Sequence, residues 1–172
     1  MSSTFTKEAL SWVKTILLAA VLAALVNTFL IVNAKVPTGS MENTIMTGDR
    51  FIALRTAYWV EEPARGDVVV FRYPDSPDTL YVKRIIGEGG DRVLIEDGTV
   101  YVNGTALEED YIAEQTIGNF GPYDVPEGCY FMMGDNRNHS LDSRFWENQY
   151  VERDEILGKV VLCYYKDFKW VS

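Results

Sequence analysis

The sequence has little histidine, little cysteine and a shortage of positive charge. Its 172 residues include one histidine, His139, and two cysteines, Cys129 and Cys163. Two cysteines are too few for a disulfide scaffold, and with one histidine they make a poor zinc set; the sequence does not decide whether they pair. A Ser-His-Asp triad would have to use His139. Lys and Arg number 16 against 25 Asp and Glu, a net charge of −9, which argues against nucleic-acid binding because that function needs a clustered basic surface.

One segment carries no charge at all. Residues 15–34 lie uncharged between Lys14 and Lys35, and their apolar side chains would run all round a helix. About 20 helical residues cross a ~30 Å hydrocarbon core, whereas a cleaved secretory signal has a shorter apolar stretch of about 7–15 residues. We therefore predict a transmembrane anchor over residues 15–34, with a cleaved signal or a buried core helix as the alternatives.

The charges beside this segment predict its orientation. Lys7 and Lys14 against Glu8 give residues 1–14 a net charge of +1, which leaves −10 for the rest of the chain. A positive flank favours a cytoplasmic N-terminus. We predict a short cytoplasmic segment over 1–14 and an extracytoplasmic domain over 35–172. Three aromatic residues are candidates for contact with the membrane face, or else ordinary core and surface residues: Trp59, Phe168 and Trp170.

The domain after the anchor is β-rich in pattern. Asp97-Gly98, between two alternating runs, predicts a hairpin, and Asn103-Gly104 predicts a second tight turn. Residues 105–128, rich in Gly, Pro and acidic residues, predict a variable loop region. Many short strands favour a twisted, partly closed antiparallel sheet system. Further strands are predicted from short apolar runs at 67–71, 81–86, 129–133 and 159–165.

Two short motifs offer a nucleophile and a base. Pro37-Thr-Gly-Ser-Met41 predicts a turn that exposes Ser40, as a nucleophile or as an ordinary turn serine. In Tyr81-Val-Lys-Arg84, strand alternation places Lys83 on the face of Tyr81 and Ile85, opposite Arg84. A buried lysine has a lowered pKa and can act as a neutral base. The alternative is a lysine on the wet face of an edge strand.

A third stretch is dense in polar groups. The segment from Gly134 to Arg144 holds two Asp, two Arg, two Ser, two Asn and His139. It directly follows the predicted strand 129–133. This density indicates either an ion-paired loop beside a site or a solvated turn.

In this order, behind a membrane anchor, these segments resemble the type I signal peptidases, the membrane-bound Ser/Lys proteases that cleave secretory signal peptides. A single anchor and short length resemble the small Gram-positive-type members. The chain departs from the family pattern where Glu42 to Ile45 follow Met41 without a proline, at Glu88-Gly89, and at Glu147. The segments that carry the resemblance are Pro37–Met41, Gly48–Arg50, Arg65–Phe71, Tyr81–Gly87 with Gly90-Asp91, and Gly134–Arg137 with Ser140, Asp142, Ser143 and Arg144.

The resemblance implies a role for each matching residue. Ser40 matches the nucleophile and Lys83 the general base. The hydroxyl of Thr38 and the backbone N–H of Ser40 match the oxyanion donors. Ser140 matches the residue that orients the lysine, with Asp142 hydrogen-bonded near it. Asp135 and Arg84 match an ion pair that braces the site, and Asp142 and Arg144 match further structural members. The residues that match the pockets for small side chains at substrate positions −1 and −3 are Val36, Met41, Ile45 and Val82.

The resemblance also implies the setting of the enzyme. A Ser-Lys dyad needs no histidine, metal or organic cofactor. The expected partners are the signal peptides of secreted preproteins, the lipid bilayer and, by proximity, the protein translocation machinery, with no nucleic acid. The expected location is the bacterial cytoplasmic membrane, with one span and the catalytic domain on the extracytoplasmic face. An extended substrate would pair with an exposed strand edge.

Three other interpretations stay open from sequence. A self-cleaving repressor-type Ser-Lys protease would need a DNA-binding N-terminal domain in place of the apolar segment. A membrane-tethered, non-enzymatic β-domain, such as an inactive pilus-assembly chaperone, would have no use for a buried base at Lys83. A protease could also use His139 as base together with Asp135 or Asp142.

Overall fold

The computed structural model of the protein describes residues 2–164 and 168–171. It begins with helix α1 (Ser2–Leu25), which continues into a short π-helical stretch, Val26–Leu30. From Leu10 to Leu30 this helical region is long and apolar enough to cross a membrane, and none of it is buried against the rest of the described chain. Its apolar side chains are therefore left for another apolar medium to cover.

The helical region ends four residues before the predicted end of the anchor at residue 34. Strand β1 (Ile31–Lys35) takes over directly, with alternating burial. Val32 packs into the core, and the side-chain oxygen of Asn33 accepts a hydrogen bond from the Tyr164 hydroxyl at 2.8 Å. These contacts with the folded domain account for the strand. They stabilise alternating inward and outward side chains in a stretch that the sequence predicts as the end of the helix.

Eleven further strands lie in the described residues, in two antiparallel sheets. The larger sheet has the order β1-β2-β11-β3-β4-β9-β10, with β12 paired to β11, and the smaller has the order β7-β6-β5-β8. The strands are β2 (Arg50–Leu54), β3 (Val68–Tyr73), β4 (Ser76–Gly87), β5 (Arg92–Glu96), β6 (Thr99–Val102), β7 (Thr105–Ala106), β8 (Phe120–Asp124), β9 (Cys129–Met133), β10 (Val151–Glu152), β11 (Ile156–Tyr164) and β12 (Lys169–Trp170).

The predicted turns form as tight hairpins. Asp97 and Gly98 both have positive φ, at 49° and 82°, and join β5 to β6. Asn103 and Gly104 have φ of 54° and 82° and join β6 to β7. Two successive positive φ values are what a two-residue type I′ turn requires, and they match the twist of the strands.

Most of β3 and the second half of β4 are buried on both faces. Val68 and Val70 of β3 pack into one core cluster, while Val69 and Phe71 pack into a second. On β4, Ile85 joins this second cluster, together with Tyr81 at its margin, and Ile86 joins a third cluster that lies against the smaller sheet. Successive strand side chains point to opposite faces, so Lys83 and Arg84 in the same strand are both carried into the protein interior.

The mainly β, partly closed antiparallel architecture that the sequence predicts is confirmed. The loop region 105–128 is less irregular than predicted, because it contributes β7 and β8 to the edges of the smaller sheet. Tyr165, the last residue of the predicted strand 159–165, lies outside the described residues. So do Met1 and Ser172, which bound the predicted segments 1–14 and 35–172.

Candidate active site

The site is built on the connection between β1 and β2, which carries Ser40. Backbone bonds close this connection at its base, from Val36 N to Asp49 O at 2.8 Å and from Gly48 N to Val36 O at 2.9 Å. Met41 and Ile45 anchor it from below, since both are buried in the core cluster beneath β1 and β2. Ser40 is thereby held at the edge of the core with only 8% of its surface exposed.

The side chain of Lys83 reaches Ser40 from β4. Its Nζ lies 2.5 Å from Ser40 Oγ, and the residue is 3% exposed. Burial lowers the pKa of Lys83 to about 8, against the opposing effect of the Asp142 and Asp135 carboxylates and with a smaller lowering effect of Arg144. The ammonium is thus destabilised, and a neutral amine in contact with a serine hydroxyl is accessible near neutral pH.

The segment after β9 closes the site from the opposite side. Gly134 packs directly against Ser40 and Ser140. A Cβ at this position would overlap Ser140 Oγ and the Ser40 carbonyl oxygen. The Asn136 side chain donates to Gly39 O at 2.9 Å, and its backbone N–H donates to Ser40 O at 3.1 Å. The turn that carries Ser40 is therefore fixed through the carbonyl groups of Gly39 and Ser40.

Two buried ion pairs brace the turn that carries Ser40 and the segment after β9. We call these two segments, together with the ion pairs, the frame. Arg84 binds Asp135 through Nε at 2.9 Å and Nη2 at 2.8 Å, and Asp135 also accepts a bond from the Thr44 hydroxyl. Arg144 binds Asp142 through two contacts of 2.8 Å. All four charged groups are buried. Each group therefore depends on the oppositely charged group of its pair to offset the cost of desolvation.

Ser140 and Asp142 lie in the segment after β9. The Ser140 hydroxyl is buried but has no hydrogen-bond partner among the described residues, whereas the resemblance predicts contact with the lysine. Asp142 accepts the backbone N–H of Gly134 at 3.0 Å and pairs with Arg144. Gly134 lies directly against Ser140, so Asp142 is hydrogen-bonded close to that serine.

A cleft of about 550 Å³ opens beside Ser40 and Lys83. All four predicted pocket residues line it, and so does the exposed Thr38. One wall comes from β1 and its continuation, and the other from β4. Additional lining residues that sequence reasoning missed include Phe51, Val70, Leu80, Tyr81 and Leu141. These side chains come from four separate segments, so no local motif could have grouped them.

His139 sits at the rim of this cleft. Its side chain is 77% exposed, and Nδ1 lies 3.3 Å from Asn136 Oδ1 and 3.9 Å from Glu114 Oε1. Asp135 and Asp142, its proposed partners in a triad, are committed to Arg84 and Arg144. The arrangement around Ser40 therefore favours Lys83 over His139 as the base.

The remaining predicted residues lie away from the cleft. Trp59, Phe168 and Trp170 are exposed, and the rings of Phe168 and Trp170 make an edge contact at 6.4 Å. The structure therefore rules out core positions for all three, and contact with a membrane stays a prediction. Cys129 and Cys163 are both free thiols.

Comparisons with known proteins identify the family of the chain. The model of the signal peptidase family, peptidase S26, matches residues 9–165. A probable signal peptidase I-2 of Synechocystis is 38% identical over 88% of this chain and 71% of the relative, and signal peptidase I of Bacillus licheniformis is 43% identical over 77% and 76%. The crystal structure of a signal peptidase I from Enterococcus faecalis aligns with a TM-score of 0.52 and 33% identity, over 58% of this chain and 97% of that one. The chain accordingly belongs to the signal peptidase family, peptidase S26, and is a serine endopeptidase of the signal peptidase I type.

Proposed function

We propose that this protein removes N-terminal signal peptides from secreted preproteins with a Ser40–Lys83 dyad. The observation that carries the proposal is the buried 2.5 Å contact between Lys83 Nζ and Ser40 Oγ. The names of the relatives, signal peptidase I, support the substrate class. Cleavage follows a small residue at −1, with a second small residue at −3.

In the first step Ser40 Oγ attacks the scissile carbonyl carbon while neutral Lys83 accepts the hydroxyl proton. The Thr38 hydroxyl and the Ser40 N–H stabilise the oxyanion; one donor of this kind is worth about 10²–10³ in kcat. The C–N bond then breaks, and the Lys83 ammonium gives its proton to the leaving amine. Water attacks the acyl-enzyme with Lys83 again as base, which releases the signal peptide with a new carboxylate and frees Ser40.

The surrounding residues hold the dyad. Ser140 is the residue that orients Lys83, since its buried hydroxyl has no hydrogen-bond partner among the described residues. The pairs of Arg84 with Asp135 and of Arg144 with Asp142 keep the segment after β9 against the nucleophile turn. The Asp142 and Asp135 carboxylates of these pairs favour the Lys83 ammonium and so partly oppose the lowering of its pKa by burial.

Substrate binds as an extended strand between the two walls of the cleft. β1 is at the edge of the larger sheet. Among the described strands, the first half of β4 pairs only with β3, since its partners on β9 begin at Arg84. A peptide adding to such edges alternates its side chains between two faces. The −1 and −3 side chains share one face, and selection against large side chains there is steric. The lining residues are Val36, Met41, Ile45 and Val82.

The apolar helix anchors the enzyme in the bacterial cytoplasmic membrane with one span. The N-terminal segment is cytoplasmic, and the catalytic domain lies on the extracytoplasmic face. The bilayer and the neighbourhood of the translocation machinery are its surroundings there. Exposed Trp59, Phe168 and Trp170 contact the interface, where amphipathic rings are favoured.

The test is cleavage of a preprotein with alanine at −1 and −3 by the full chain in detergent. S40A and K83A should each lower kcat by at least about 10³-fold. Removing one member of a catalytic unit abolishes most of the rate enhancement that the whole unit provides. H139A should keep most of the activity. Activity that survives in K83A and disappears in H139A would contradict the dyad.

A further inference from the structure

In the loop region 105–128, residues 109–111 pack against the frame at positions outside the substrate cleft. We call this segment the strap. Glu109 contacts Arg137, Tyr111 contacts Arg84 and Asn43, and the Tyr111 hydroxyl donates to Glu109 Oε1 at 2.9 Å. The strap is thus internally linked and reaches the frame at three points. Neither Glu109 nor Tyr111 is among the described residues that line the substrate cleft.

The first contact neutralises a buried cation. The Arg137 side chain is 0% exposed, and its Nη1 and Nη2 atoms bind the two carboxylate oxygens of Glu109 at 2.9 and 2.6 Å. Such fork-to-fork pairs fix geometry as well as charge. Arg137 Nε in turn donates to Gly134 O at 3.1 Å. If Glu109 is lost, Arg137 becomes an unpaired buried charge, which is strongly unfavourable, and its hold on Gly134 is lost as it moves toward solvent.

Gly134 opens the turn that holds the nucleophile backbone. Asn136, in the same turn, donates to Gly39 O and Ser40 O. In a trans peptide the C=O and N–H point in opposite directions. Anchoring Gly39 O therefore sets the direction of the Ser40 N–H, which the mechanism uses as an oxyanion donor. Glu109 acts on that donor through Arg137 and this turn.

The second and third contacts come from Tyr111. Its ring lies 3.9 Å from the Arg84 guanidinium, within cation–π distance. Its carbonyl accepts from Asn43 Nδ2 at 2.6 Å. Asn43 has a φ of 88°, in the left-handed region that L-residues other than glycine seldom adopt. Tyr111 therefore secures both the Arg84–Asp135 pair and a strained position three residues after Ser40.

We propose that Glu109 and Tyr111 are positioning residues for the Ser40 turn, Glu109 through Arg137 and Tyr111 through Arg84 and Asn43. The proposal rests on the proposed function, in which Ser40 is the nucleophile. Because the strap contacts the frame and not the cleft, it governs the alignment of the reacting groups. Its loss lowers kcat and leaves KM nearly unchanged.

The experiment measures kcat and KM of the full chain in detergent for E109Q, Y111L and Y111F. E109Q keeps the shape of Glu109 and removes its charge, and we expect kcat to fall at least tenfold with KM within twofold of the parent. Y111L should fall similarly, whereas Y111F, which keeps the ring over Arg84, should lose less than threefold. E108Q, at the exposed neighbouring glutamate, is the matched control with parental kcat. Tryptophan fluorescence checks that each variant is folded.

A double-mutant cycle then tests the route. If Glu109 acts through Arg137, E109Q should have no further effect on kcat in an R137Q background. Parental kcat in folded E109Q and Y111L, equal losses in Y111F and Y111L, or losses that multiply in E109Q/R137Q would overturn the proposal. S40A separates the two claims: cleavage by S40A would remove the nucleophile assignment itself, whereas an inactive S40A beside fully active strap variants would reject only the strap.

Discussion

At the scale of the residue, the unusual group is a lysine kept out of water. On its face of β4 Lys83 lies between Tyr81 and Ile85, opposite Val69 of β3. Burial destabilises its ammonium, so the fold holds a group that is readily neutralised. The strand pattern of Tyr81 to Ile86 was enough to predict the alternation of Lys83 and Arg84. It did not predict that Arg84 would also be buried, since that depends on Asp135, which lies 51 positions further along the chain.

The same residue predicts the pH dependence of cleavage. Lys83 must be neutral to accept the Ser40 proton, and its pKa is lowered from the ordinary value to about 8. The value of kcat/KM for a peptide without titrating groups should therefore rise about tenfold per pH unit below pH 8 and level off above it. H139A should have the same profile. A rising limb that vanishes in H139A would contradict the role given to Lys83.

At the scale of the element, strands were predictable and their loop partners were not. Asp97-Gly98 and Asn103-Gly104 predicted turns because their φ requirements are local. The roles of Glu109, Tyr111 and Arg137 depend on contacts between residues 27 positions or more apart, and loops carry no period that would report such contacts. An acidic residue and an aromatic residue in an otherwise irregular stretch were the available signal, and sequence reasoning treated that stretch as a variable loop.

The turn after β9 offers a prediction at this scale. G134A would place a methyl group against Ser140 Oγ and the Ser40 carbonyl. Overpacking of this kind costs about 1–3 kcal/mol, and separating the turn from Ser40 should lower kcat at least tenfold. G104A is the control, because a Cβ there meets no described atom within 4 Å. The φ of 82° at this position should cost only about 1 kcal/mol of backbone strain. We expect kcat of G104A to be unchanged. Thermal unfolding and cleavage rates should be measured for both variants. Equal stability and equal kcat in G134A and G104A would contradict the packing argument.

At the scale of the whole molecule, the helix and the catalytic sheet join without a linker. The helical region ends at Leu30 and β1 begins at Ile31. Val36, at the cleft, lies six residues after Leu30, or roughly 20 Å of extended chain. Membrane anchorage and the position of the cleft are therefore set by one continuous piece of backbone, and the proposed function makes use of this: a signal peptide held in the same bilayer meets the cleft at a fixed height.

Breaking that continuity should separate two activities. Ten Gly/Ser residues inserted between Leu30 and Ile31 would add a flexible spacer with an end-to-end distance of about 18 Å. We expect kcat/KM for a preprotein embedded in proteoliposomes to fall several-fold, because the cleft is no longer held at the height of the scissile bond. Cleavage of a short soluble peptide should stay within twofold of the parent, because β1 still pairs with β2 and the dyad is intact. An equal fall for both substrates, or no fall for either, would contradict a role for the direct junction between helix and sheet.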